Sequence, residues 1–365
     1  MHRLSRVDAR RIAVRAQLLT SRRPASLADA VRGLTLLQID PTAAVAPSAD
    51  LVAWSRLGSA YSPDALESAL SERTLLELRG MIRPAEDIAL YSADMNNWPG
   101  TGKLSPWQQI KGDWVAANET FRRDILARLT DSGPLPAADL PDTCVKPWRS
   151  SGWNNKRNVG QMLEMLEERG EIAVAGRRNG QRVWDTASRV YPDLPVVPAD
   201  EAKRIRDEKR LRALGLARSR GPECRVEPDD VGDAGEPAVV DGVRGTWRVD
   251  PSLLDEEFEG RIAILSPLDR LLYDRKRMSE IFAFDFALEK YKPKAKRRWG
   301  YYALPIMHGD RFVGKIDATA DRKAGVLRVD AVHEDEAFSR TLRAGVDRQL
   351  DDLARCLRLD LQMAC

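Results

Sequence analysis

Near the N-terminus, two polar side chains have the types and the spacing to act on a substrate. In Leu34-Thr-Leu-Leu-Gln-Ile-Asp-Pro41, Gln38 and Asp40 stand two residues apart in an otherwise apolar segment that stops at a proline. Residues two apart share a face only when the chain is extended, and Pro41 biases Asp40 out of the helical region. The pattern therefore predicts an extended stretch over Leu34 to Asp40, with Leu37 and Ile39 turned to a core and an amide and a carboxylate side by side. Such a pair suits water chemistry: the carboxylate orients or deprotonates water, and the amide, with both donors and an acceptor, holds it. The plain structural alternative is that Asp40 caps the next turn and Gln38 satisfies nearby backbone groups. The segment alone leaves both open.

A second set of candidates is basic. The net charge is only +3, but residues 1–33 hold eight Arg against two Asp, and residues 275–298 hold nine Lys or Arg against three acids. Lys290 to Arg298 packs six basic residues into nine, with Tyr291 and Trp299 alongside. Basic residues interleaved with aromatics suit a nucleic-acid groove, while the same long side chains also snorkel over ordinary surface. Three histidines and four dispersed cysteines (Cys144, Cys224, Cys356, Cys365) offer no metal-ligand spacing, so no metal and no cofactor is expected. There is no Gly-rich phosphate loop and no Ser/His/Asp spacing. No apolar run is long enough to span a bilayer, and the Arg-rich N-terminus lacks a signal-peptide block, which points to a cytoplasmic protein.

The elements that must position these groups read as α+β, predominantly α. Ser5 to Leu19 and Ser26 to Val31 are predicted helices, the second with Ser26 as N-cap. A further capped helix begins at Ser62. Residues 92–117, rich in Trp, Gly and Pro, suggest a packed connection. Phe121 to Thr130 is an amphipathic helix and Asn154 to Arg169 another, closed by Gly170. Glu171 to Asp185 then forms a hairpin around Asn179-Gly180. Helices followed by a hairpin spell a winged helix-turn-helix. Arg149, Asn154, Asn155, Lys156 and Arg157 cluster at the start of its recognition helix, and Arg177, Arg178 and Arg182 at its wing, where DNA phosphates would be met. A helix over 201–217 and a hairpin around Asp241-Gly242 look like a shortened third module. The last third carries a buried strand at Arg261 to Asp269, an antiparallel meander over 300–330 and a closing helix from Thr341 to Leu361. Expected domains are thus 1–117, 118–195, 196–260 and 261–365: tandem winged helix-turn-helix modules, then a C-terminal antiparallel sheet with helices.

Several segments together resemble one family. They are Gln38-Ile-Asp40, Leu51-Val-Ala-Trp-Ser-Arg-Leu57, Val174-Ala-Gly-Arg177, Leu265-Ser-Pro-Leu-Asp269 with Tyr273-Asp-Arg275, and Lys296-Arg-Arg-Trp-Gly-Tyr-Tyr-Ala-Leu-Pro305 with His308-Gly-Asp-Arg311. They are similar to the winged-helix DNA glycosylases of the AlkZ/YcaQ type, which unhook interstrand crosslinks, and the resemblance runs over residues 5–345. The Gln-apolar-Asp form is that of the YcaQ-like branch. One departure is the stretch Leu76 to Ala85, which lacks the Trp and His carried by many members. The resemblance implies a monofunctional N-glycosylase acting as a monomer on double-stranded DNA with alkylated or crosslinked bases. Gln38 and Asp40 would be catalytic. Arg56, Lys296, Arg297, Arg298, His308 and Arg311 would join the winged-helix residues in binding DNA. The competing class is a winged-helix regulator or architectural protein that binds DNA and releases no base.

Overall fold

The computed structural model describes residues 1–149, 157–221 and 227–364. The chain is a mixture of helices and sheets that gathers into two compact units, one made of residues 1–67 and 206–365 and the other of 68–205. This is not the succession of four modules read from the sequence. The reason is a shared core: Leu4, Ile12, Val14 and Leu19 from the N-terminus belong to one buried apolar cluster with Leu216, Trp247 and Val249, and with Ala263, Leu265 and Met307. Residues from the expected first, third and fourth modules bury one another.

In the discontinuous unit, Ser5 begins the first helix, Arg6–Ala16, through a reciprocal capping box with Asp8. Strand His2–Leu4 lies parallel to Glu236–Val240, which pairs antiparallel with Trp247–Val249, and that strand with Leu216–Ala217. A second sheet runs in the order Ile262–Ile264, Leu304–His308, Arg311–Asp321, Val326–Glu334, Asp360–Met363. Its first four strands are the expected antiparallel arrangement, and the fifth joins parallel. That last strand exists because helix Arg340–Leu357 stops short of Leu361: Arg358 takes a left-handed φ of 59° and turns the chain back.

Two helices bracket the Gln38 segment. Ser26 caps Leu27–Leu34, and the chain leaves that helix through Thr35 at φ 68°. The paired strand itself spans only Leu37–Gln38, while Leu36, Ile39 and Asp40 lie outside helix and strand. Leu36 and Leu37 are buried, whereas Ile39 is only half-buried. Helix Ser48–Leu57 follows, every residue of it buried except Asp50.

The 68–205 unit has its own core of Trp114, Phe121, Ile125, Leu129, Met162, Leu166, Ile172 and Trp184. The stretch without Trp or His proves to be a hairpin, Leu75–Leu78 with Met81–Pro84. The expected connection is largely helical, comprising the end of Ala89–Asn96 and the whole of Pro106–Ala117. Helix Glu119–Ser132, strand Leu135–Pro136, helix Asn158–Glu168 and the hairpin Ile172–Arg178/Gln181–Thr186 then follow in order. Asn179 at φ 51° and Gly180 at φ 77° make the tight turn, a conformation in which both central residues need positive φ. Among the described residues, no helix is long and apolar enough to cross a membrane.

Candidate active site

Asp40 sits half-buried at the end of the short extended segment. Its Oδ1 accepts the backbone N–H of Thr42 at 2.8 Å, a turn that Pro41 favours by keeping Asp40 non-helical. Lys290, distant in sequence, donates from Nζ to both carboxylate oxygens, at 3.3 and 3.2 Å, and to Thr42 Oγ1 at 3.1 Å. Neither charge is freely solvated, with side-chain exposures of 11% for Lys290 and 16% for Asp40. Burial is the largest single influence on the Asp40 carboxyl and pushes its pKa up. The Thr42 hydroxyl and amide and the Lys290 ammonium together outweigh it, so the net shift is downward. Asp40 is an ionised carboxylate at neutral pH.

Lys290 also links Asp40 to Gln38. A cavity of about 350 Å³ is lined by Gln38, Tyr273, Arg275, Phe286, Lys290 and Tyr291, among others. Gln38 makes no side-chain hydrogen bond to any described residue, so its amide remains available to a ligand. Beneath this region Ser48 Oγ and Ser266 Oγ lie 2.9 Å apart. Fully buried Tyr302 carries a hydroxyl raised to about 12, by burial first and then by the Asp40 charge. The pairing of Lys290 with Asp40 was not legible in the sequence, where Lys290 was one basic residue in a run of six.

The basic segment that carries Lys290 is pinned rather than loose. Buried Glu289 accepts the backbone N–H groups of Arg298 and Trp299 at 2.7 and 2.9 Å and the Lys292 ammonium at 2.7 Å. Arg298 lies over the Trp299 ring and Arg297 over Tyr301, at 4.8 and 4.9 Å from the centroids. Lys296 and Arg298 are exposed, and Arg297 is half-buried with Nε on the Lys292 carbonyl. His308 is exposed at the end of its strand, and Arg311 forms an exposed ion pair with Glu336 at 3.1 Å.

Arg56 corrects the sequence reading. It is fully buried, with Nη2 on Asp269 Oδ1 at 2.9 Å and Nη1 on the other carboxylate oxygen, while Nε donates to the Gln17 carbonyl at 3.0 Å. A guanidinium enclosed in this way cannot reach a phosphate; it ties helix Ser48–Leu57 to the Leu265-to-Asp269 segment. In the 68–205 unit, Arg177 and Arg182 both bind Glu77, which is 5% exposed, at 2.9 and 2.6 Å. Their charge is answered within the protein, whereas Arg178, Arg149 and Arg157 are exposed. Asn154, Asn155 and Lys156 lie outside the described residues.

Asp40, kept ionised by Thr42 and Lys290, and the Gln38 amide, which shares a cavity with Lys290, thus lie at the start of the basic aromatic segment. The chain belongs to a family of DNA glycosylases: the family model for DNA glycosylase AlkZ-like proteins matches residues 31–356. Its fold is similar to that of Streptomyces sahachiroi DNA glycosylase AlkZ, with a TM-score of 0.65 and 17% identity over 100% of both chains.

Proposed function

We propose that this protein repairs DNA by hydrolysing the N-glycosidic bond of N7-alkylated guanine, including guanines tethered in interstrand crosslinks. The observation that carries this reading is Asp40, kept ionised by the Thr42 hydroxyl and amide and by the ammonium of Lys290, which itself lines the Gln38 cavity. Alkylation at N7 makes guanine cationic, so the base departs without a general acid. The barrier lies in the electron-deficient sugar. Asp40 stabilises that oxocarbenium-like charge and deprotonates the incoming water, and Gln38 holds the water in line. Glycosidase carboxylates meet transition-state charge of the same kind.

Residues 119–186, with helix, strand, helix and hairpin in that order, act in this reading as a winged helix presented to DNA. Exposed Arg149, Arg157, Arg178, Lys296, Arg298 and His308 meet the backbone. Duplex DNA containing 7-methylguanine or a nitrogen-mustard crosslink, assayed for abasic sites, tests the proposal. Asp40→Asn and Gln38→Ala are expected to lower excision at least a hundredfold while leaving DNA affinity within about threefold. Affinity lost in parallel with excision, or full excision by Asp40→Asn, overturns the assignment.

A further inference from the structure

Tyr291 lines the Gln38 cavity yet is 88% exposed, far more than Trp107 at 53% or Tyr301 at 41%. Nearby aromatic residues are treated otherwise. Phe282, Phe284, Phe286 and Tyr302 are buried, and the Trp299 ring is covered by Arg298 and Lys315, both 4.8 Å from its centroid. The exposure of Tyr291 does not come from a loose backbone. On one side Lys290 is held by Asp40 and Thr42 at 3.1 to 3.3 Å. On the other, Lys292 is bound to Glu289 through its ammonium at 2.7 Å and through its backbone N–H, on the Glu289 carbonyl, at 2.8 Å. A firmly based aromatic ring is thus held outward at the rim of the cavity.

Exposed Lys292, Lys294 and Lys296 flank it, so a DNA backbone met by these cations brings its bases to the ring. A guanine tethered to the opposite strand cannot swing out into a pocket as flipped bases do. A side chain that enters the stack reaches such a base where it lies, as apolar wedges do when they part base steps. Tyrosine suits the task, because every base offers a π-face and N7-alkylated guanine, being cationic, is drawn to the electron-rich face of a phenol ring. We propose that Tyr291 is a stacking residue: its ring inserts beside the damaged guanine, parts it from the neighbouring base and opens its sugar to Asp40. The inference rests on reading the Gln38 cavity as the place where the damaged nucleotide sits, and it names the side chain that holds the nucleotide there. The ring makes and breaks no bond; it contributes to binding damaged over undamaged DNA.

The test uses the full chain and a duplex whose single 7-methylguanine sits on 2′-fluoroarabinose, a sugar that holds the base against release. 5-Iodouracil replaces the neighbouring base on each side in turn, and irradiation joins it to an aromatic ring stacked on it. The expected result is an adduct that peptide mapping places on Tyr291. Tyr291→Ala is expected to lower the preference for damaged over undamaged duplex at least about fivefold, with melting temperature and salt dependence unchanged. Tyr291→Phe is expected to keep both the preference and the crosslink. No adduct, an adduct on another residue, or undiminished preference in Tyr291→Ala overturns the proposal. So does a Tyr291→Phe chain as impaired as Tyr291→Ala, because the contact would then be the hydroxyl and not the ring. Mapping on the unaltered protein depends on no variant, and neither binding nor crosslinking needs base release. Excision by a chain that gives no Tyr291 adduct sinks this inference alone, and a Tyr291 adduct on a chain that releases no base sinks the excision reading alone.

Discussion

Arg56 and Asp40 show how differently two charged residues are used. The Arg56–Asp269 pair is wholly buried, and removing one partner leaves the other charge uncompensated in the interior. Arg56→Ala is therefore expected to cost about 3–5 kcal/mol in denaturant titrations, with DNA affinity per folded molecule unchanged. A weakened affinity at unchanged stability would restore Arg56 to the DNA-binding set. Asp40 has a folded-state pKa below its ordinary value. A depressed carboxyl contributes stability that is present above the unfolded value and lost as pH falls through the folded one, and its ionised form is the active form. Excision per bound DNA should accordingly stay flat from pH 7 down to about 5, the acid limb lying below the ordinary carboxylate value of about 4. An acid limb centred above pH 5 would show that Asp40 is not the ionised group required.

Among the elements of the 68–205 unit, helix Asn158–Glu168 carries an anomaly. Glu167 is buried and accepts the Arg79 backbone N–H at 2.8 Å, and its carboxyl is raised to about 7, by burial above all. A folded pKa above the unfolded one means that the group favours folding below pH 4.5, where both states are protonated, relative to higher pH; that advantage is lost as pH rises through about 7. Glu167→Gln keeps an acceptor for Arg79 and cannot ionise. It is expected to stabilise the protein by about 1–3 kcal/mol at pH 8 and to have little effect at pH 4, read from thermal melts at the two pH values. Equal effects at both would remove ionisation as the cause. The hairpin beside this helix was plain in the sequence, since Asn-Gly between alternating segments demands one turn type. The anchoring of Arg177 and Arg182 on Glu77 was not, because the partners are 100 and 105 residues apart.

At the scale of the whole molecule, the shared core means that the N-terminal helices cannot be a free-standing module. Residues 68–205 expressed alone are expected to unfold cooperatively, since their core is continuous in sequence. Residues 1–67 alone are expected to stay unfolded, because Leu4, Ile12, Val14 and Leu19 find their partners between 216 and 307. A cooperative transition in the shorter fragment, followed by circular dichroism, would contradict this. Local signals in the sequence determined the capped helices, the Asn179-Gly180 hairpin and the C-terminal meander, because each depends on residues a few positions apart, and they singled out Gln38 and Asp40 as a polar pair without deciding its role. Only the tertiary structure decided that Arg56 is interior, that Lys290 reaches Asp40 across 250 positions, and that three stretches read as successive modules share one core. Such contacts follow from which apolar faces bury each other over long separations, and the periodicity of a single segment does not encode its distant partner.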